Sequence, residues 1–300
     1  MIANAIKTEA LTKRFGKMKA LAALNLCVPE GAVHALMGPN GAGKTTLIKI
    51  LMNIYRASSG GATVLGCDSA KISGKVFQLI GYVSENQQLP GWMSVGGFLK
   101  YLRAFYPTWD VELEARLVRQ FDLPLERKLK HLSRGMRMKA ALASSLSFRP
   151  KLMVLDEPFS GLDPMVRDEL SSALLERSTD STVFLSSHDL AEVEGLATHV
   201  AFLDSGHLRL SEDMDSLNTR FREVELTFGS APRVPADVPS GWLQISTNGT
   251  SVRFVDSEFD AYKTAVEIAR CFGEMQGSSF KVMTLRTIFL AVAKNNRKPS

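Results

Sequence analysis

One segment of the sequence has the residue types and spacing needed to hold phosphate: Gly38-Pro39-Asn40-Gly41-Ala42-Gly43-Lys44-Thr45-Thr46. Glycines so placed let the backbone curl until successive N–H groups point inward, and the first turn of a following helix adds partial positive charge. In such a loop Lys44 would reach the β- and γ-phosphates of a nucleotide, and the Thr45 hydroxyl would ligate Mg²⁺. A nucleotide with Mg²⁺ needs a second, acidic position, and Leu152-Met153-Val154-Leu155-Asp156-Glu157 offers it. The four apolar residues read as a buried strand with Asp156 at its C-terminal end, where open α/β sheets bind ligands. Asp156 is assigned to the Mg²⁺ shell. Glu157 would stand beside the γ-phosphate and polarise the attacking water, a role that typically gives roughly 10²- to 10⁴-fold in rate.

These residues must be positioned by a frame, and the pattern around them is that of a mostly parallel sheet covered by helices. Residues 32–37 read as a strand, 44–53 as a helix, and 61–65 and 80–83 as further strands. From residue 95 to about 148 a helical block follows, with Thr108 expected as the N-cap of a helix carrying Leu113, Leu117 and Phe121. Strands over 152–155, 183–185 and 199–203 resume the alternation, with Pro164 at a helix start. Near Leu210 the character changes. Residues 224–228, 243–246 and 251–255 alternate like strands with one exposed face, Asn248-Gly249 signals a hairpin, and a loop spans 231–239. Two apolar stripes are predicted on helices, one of Tyr262, Ala265, Val266, Ala269 and Phe272, the other of Leu285, Ile288, Phe289 and Val292. The expected division is therefore residues 1–217, with a helical subdomain over about 86–150, and a small α+β domain over 218–300.

Composition narrows the function classes. With 300 residues, 45% hydrophobic and 22% charged, the chain has apolar material for one large core or two smaller ones. No apolar run approaches the roughly 18 to 20 residues of a membrane span, and the first eleven residues lack the order of a signal peptide. Cys27, Cys67 and Cys271 are too few and too scattered for a disulfide framework or a zinc site, so they read as free thiols. The net charge of +5 is interleaved along the chain, so no nucleic-acid partner is expected. The basic tail Lys294, Arg297 and Lys298 reads as a solvated end.

From Ile6 to about Leu210 the chain resembles the ATP-binding cassette (ABC) ATPases, whose motifs appear in order. Leu132-Ser133-Arg134-Gly135-Met136 resembles the signature, Ser160-Gly161-Leu162-Asp163 the D-loop, and His188, within Ser186-Ser187-His188-Asp189, the switch histidine. Phe15-Gly16 falls where the family stacks an aromatic ring on adenine, and Phe15 on its own reads equally as a core aromatic. The fold thereby implied is a P-loop NTPase cassette with a helical subdomain. The resemblance implies an ATPase that binds ATP and Mg²⁺ and works as a head-to-tail dimer, homo- or heterodimeric. Ser133 and the Gly135 N–H would touch the γ-phosphate of the partner's ATP, Asp163 would couple the two sites, and His188 would hold the γ-phosphate and water.

Three departures from the family pattern stand out: Arg134 where Gly is commonest, Met136 where Gln is commonest, and Glu85 where Gln is usual. Glu85 still presents an oxygen to Mg²⁺ or water, and Gln87 could fill the same position. These departures, together with a C-terminal extension like that of exporters of drugs, antibiotics or cell-surface components, point to export. The remaining partner implied is an integral-membrane permease, with the protein peripheral on the cytoplasmic face of the cell membrane; Leu89-Pro90-Gly91-Trp92-Met93 either borders that permease or packs in the core. The competing expectations are a non-transport ABC ATPase acting on ribosomes or DNA, and a module that senses ATP with weak hydrolysis.

Overall fold

The computed structural model describes residues 3–177 and 180–295; Arg297 and Lys298 of the basic tail lie outside them. The chain divides into two compact units, up to residue 211 and from 212 onward, a little before the division at 217 that the sequence suggests. The difference lies in the short helix Met214–Arg220, which is built into the second unit. Asp213 caps it by accepting the Ser216 N–H at 2.8 Å, and Glu212 pairs with Arg220 at its far end.

In the first unit a six-stranded sheet runs in the order His207–Asp213, His199–Asp204, Val33–Met37, Thr182–Ser187, Leu152–Asp156 and Ile80–Ser84. The pairings among the last five are parallel. Val33–Met37, Leu152–Asp156 and Thr182–Ser187 are buried along their whole length, which is why they read as continuous apolar runs rather than alternations. The register then fixes the site, because Ser84 lies opposite Asp156, Asp156 opposite Ser186, and Ser186 opposite Leu36. The segments leaving the C-terminal ends of four strands therefore emerge side by side.

A second, antiparallel sheet of Asn4–Phe15, Met18–Leu24, Cys27–Pro29, Ser59–Val64 and Cys67–Asp68 adjoins it. Leu47, Ile48 and Leu51 of the helix Lys44–Leu51 are fully buried among residues of both sheets, each contributing about 1.5–3 kcal/mol of apolar burial. The helical block is present as Val95–Arg103, Val111–Gln120 and Arg134–Leu146. Thr108 does not cap the second of these. Asp110 does, its carboxylate accepting the Leu113 N–H at 2.8 Å, while the Thr108 hydroxyl donates to the Phe148 carbonyl. A charged acceptor next to the helix start outcompetes a hydroxyl two residues farther back.

The second unit is a four-stranded antiparallel sheet, in the order Trp242–Asn248, Ser251–Asp256, Arg222–Thr227 and Gly277–Val282, with helices Ala261–Phe272 and Leu285–Asn295. Asn248 pairs with Ser251, so the hairpin turn is Gly249-Thr250, with Gly249 at a left-handed φ of 59°. Leu285, Ile288 and Phe289 are buried as their spacing predicts. The other stripe is corrected. Thr264 and Ile268 face inward, with Cys271 and Phe272 half-buried beside them, whereas Tyr262 is 80% and Val266 49% exposed. The rotation is set by a polar contact that apolar spacing cannot register: the Thr264 hydroxyl donates to Asp256 Oδ2 at 2.6 Å inside the core.

Candidate nucleotide site

Helix Lys44–Leu51 begins at the end of the phosphate loop, with Gly43 in the left-handed region at φ 113° and no side-chain cap on its first turn. Its orphan N–H groups and its dipole are thus left to the loop, as an anion site requires. Two of the loop glycines are there for space. A Cβ on Gly38 would lie 2.2 Å from the Leu203 carbonyl oxygen, and one on Gly43 2.6 Å from that of Ala20.

The loop lines a cavity of about 740 Å³ together with Phe15, Glu85, Glu157, Ser160 and His188. Lys44 is buried at its wall, donating to the Gly38 carbonyl at 2.6 Å and the Pro39 carbonyl at 3.3 Å, and pairing with Glu157 Oε1 at 3.0 Å. Glu157 Oε2 lies 2.7 Å from His188 Nδ1. A lysine, a carboxylate and an imidazole therefore stand in one hydrogen-bonded line, Lys44–Glu157–His188. Glu157 itself adopts a left-handed φ of 54°, an uncommon conformation for a residue with a Cβ.

Thr45 and Asp156 are brought together, the Thr45 hydroxyl donating to Asp156 Oδ1 at 3.1 Å. Burial pushes the Asp156 carboxyl above the usual carboxylate range, and hydrogen bonds from Ser186 and Thr45 oppose that rise. The pair fits Mg²⁺, since a hydroxyl and a carboxylate both offer hard oxygens. Mg²⁺ is commonly held in this way, by one carboxylate and a hydroxyl with phosphate oxygens and water completing its shell. Sequence reasoning missed Ser186. Its hydroxyl donates to Asp156 Oδ1 at 2.7 Å and accepts the Glu157 N–H at 3.0 Å. A serine at the end of a buried strand, two residues before His188, was the available signal.

Glu85 stands on the same cavity wall, but its Oε1 accepts from Arg134 and from the Ser160 hydroxyl at 3.0 Å. Gln87 turns its side-chain oxygen back to the Ser84 N–H at 3.4 Å. Phe15 is 40% exposed, edge-on to Tyr55, with the Lys13 ammonium 4.9 Å from its ring centre. Ser133, Gly135 and Asp163 do not line the cavity. Ser133 caps the helix Arg134–Leu146 by accepting the Met136 N–H, Gly135 packs beside Val166, and Asp163 accepts the Val166 N–H. Trp92 is 71% exposed, so it is not a core residue.

A Gly-rich loop between a buried strand and a helix, faced by an acidic strand end, defines a P-loop nucleotide-binding protein. Comparison with known proteins takes this further. Residues 21–160 match the family described as ABC transporter. A daunorubicin resistance ATP-binding protein of Streptomyces coeruleorubidus is 35% identical over 229 residues, 71% of this chain and 68% of that protein. A lantibiotic transport ATP-binding protein of Streptococcus pyogenes is 33% identical, covering 70% of this chain and 91% of that protein. An uncharacterized ABC transporter ATP-binding protein of Synechocystis is 34% identical over 70% of this chain, and the match spans 63% of that protein. Among solved structures, an ATP-binding subunit of an ABC transporter matches with a TM-score of 0.66 and 26% identity over 71% of this chain and 92% of its own. A dimeric cassette bound to ADP and Pi, 20% identical with a TM-score of 0.62 over 70% of this chain and 98% of its own, shares the fold. The chain belongs to the ABC transporter family, as an ATP-binding ATPase subunit.

Among the described residues no helix is long and apolar enough to cross a membrane.

Proposed function

We propose that this protein powers export through a separate integral-membrane permease, docked on the cytoplasmic face of the cell membrane and closing on ATP as a head-to-tail pair of cassettes. The observation that carries the reading is the line Lys44–Glu157–His188 at the wall of the phosphate cavity. Lys44 neutralises phosphate charge, and Glu157 holds and polarises water for in-line attack. His188, fixed by Glu157, orients the γ-phosphate. Thr45 and Asp156 would hold Mg²⁺, which when bound would supply charge neutralisation to the phosphates. Phe15 offers its ring to the adenine. Glu85 would offer its second carboxylate oxygen to the metal or its water.

Ser133, Gly135 and Asp163 lie outside the cavity of their own chain, which supports a second cassette bringing its own copies to complete the site. Relatives named for daunorubicin resistance and lantibiotic transport support export of a drug- or peptide-like substrate. The exposed Trp92 suits a contact with the permease. The division into a cassette and a C-terminal accessory domain is part of the same proposal.

The test has two parts. The solution mass of Glu157→Gln protein should shift from monomer to dimer on adding MgATP, and tagged wild-type protein should be recovered from cell extract with an integral membrane protein. Recovery with ribosomes or DNA instead would sink the transport reading.

A further inference from the structure

Two departures from the family pattern, Glu85 and Arg134, are far apart in sequence and in direct contact in space. Arg134 Nη2 lies 2.5 Å from Glu85 Oε1. Glu85 follows the strand Ile80–Ser84, and its N–H donates to the Asp156 carbonyl at 2.9 Å; Arg134 is the first residue of the helix Arg134–Leu146. We propose that Arg134 is a positioning residue that neutralises and aims the Glu85 carboxylate, allowing an acidic side chain to stand on the wall of a cavity that receives an anion. The proposal rests on the ATP-binding reading above and deepens it.

The cavity lining carries Lys19 and Lys44 against Glu85 and Glu157, with Asp156 bonded to Thr45 just behind. Cations and carboxylates on the wall balance, which is a poor field for a polyphosphate. Pairing Glu85 with a guanidinium from outside the lining restores a positive surplus. The side chains of Arg134 and Glu85 are 45% and 30% exposed, and ion pairs at such sites usually contribute little on their own. This one is held from more than one side. The Ser160 hydroxyl shares Glu85 Oε1 at 3.0 Å, and Gly161 leaves room for the fork, since a Cβ there would lie 2.8 Å from Arg134 Nη1. With Oε1 engaged by both donors, rotation of the carboxylate is restricted and Oε2 keeps one direction.

The experiment is MgATP affinity of the full chain, read by a fluorescent ATP analogue, for wild type, Arg134→Gln, Arg134→Lys and Arg134→Gln combined with Glu85→Gln. Arg134→Gln should weaken binding by about fivefold or more, as for directly coupled neighbours. Arg134→Lys should recover part of the loss, and the double variant should bind more tightly than Arg134→Gln alone. The deficit of Arg134→Gln should also shrink as salt is raised. A helix start disturbed by the substitution would give neither the rescue nor the salt dependence.

Unchanged affinity in Arg134→Gln overturns the proposal. So does a double variant as weak as Arg134→Gln, which would mean the guanidinium serves another group, such as the partner's nucleotide. If Arg134→Gln does not fold, exchanging the charges in Arg134→Glu with Glu85→Arg decides: the exchanged pair must bind MgATP more tightly than Arg134→Glu alone, and the two changes must not add. Wild-type protein that binds no MgATP would refute the functional reading itself, whereas wild-type binding without rescue refutes the pairing alone.

Discussion

Asp156 and Asp256 each end a β-strand and are buried to a similar degree, one in each unit. Asp256 is consumed by its surroundings: Oδ1 accepts the Glu258 N–H at 2.9 Å and Oδ2 the Thr264 hydroxyl at 2.6 Å. Asp156 receives its two hydroxyls on the same oxygen, Oδ1, beside a second carboxylate, and its carboxyl is raised by burial. One aspartate sets the rotation of a helix. The other is left electrostatically dissatisfied at the mouth of a parallel sheet, where a bound cation would relieve it. Burial alone does not separate a structural acid from a functional one. What separates them is whether local donors are spread over both oxygens.

The contrast can be broken by experiment, from the largest effect down. Glu157→Gln should reduce phosphate release by roughly 10²- to 10⁴-fold while MgATP still binds; loss of binding would mean that Glu157 is a ligand rather than a base. Lys44→Ala removes charge-assisted bonds worth about 1.5–3 kcal/mol, so nucleotide affinity measured by titration should fall roughly 10- to 100-fold. Asp256→Ala, in the other unit, leaves the Glu258 N–H and Thr264 hydroxyl unpaired. Denaturant unfolding should lose about 1–3 kcal/mol with ATP affinity intact, and any change in affinity would show that Asp256 is more than structural.

The smallest effect sharpens the comparison through pH. Folding raises the Asp156 pKa, so the folded chain holds that proton more tightly than the unfolded chain. The stability this contributes is complete below the ordinary carboxylate value of about 4 and is lost as pH rises through the folded value. Asp156→Asn should therefore melt higher than wild type at pH 7 in the absence of nucleotide and Mg²⁺, by about 2–4 °C for each 1 kcal/mol relieved. The advantage should vanish towards pH 4. A variant less stable at pH 7 would show that the carboxylate is better satisfied than its surroundings indicate.

Much of this frame is legible in the sequence because parallel strands buried on both faces leave continuous apolar runs, as in Leu152–Asp156, and because a phosphate loop can be written in few ways. Lys44, Thr45, Asp156, Glu157 and His188 are read from their motifs, and the structure brings them together. What could not be read depends on polar contacts across long sequence distances. Thr264 bonding to Asp256 turned a predicted apolar stripe outward, and Asp110 displaced Thr108 as a cap. The polar strand Gly277–Val282 carries almost no hydrophobic signal and is defined by its ladder to Arg222–Thr227. Arg134 and Glu85 were each visible as departures from a pattern, but neither sequence position says that they meet.

The left-handed backbone at Glu157 has a consequence for how such a protein can change over time. Holding a residue with a Cβ in that region stores about 1–3 kcal/mol of strain, which glycine would release. Natural drift or engineering that rewards heat resistance alone is therefore drawn towards replacing the side chain proposed to polarise the attacking water. A hardier descendant obtained by that route would be a silent one, and the persistence of glutamate at residue 157 would mark a lineage still under pressure to spend nucleotide.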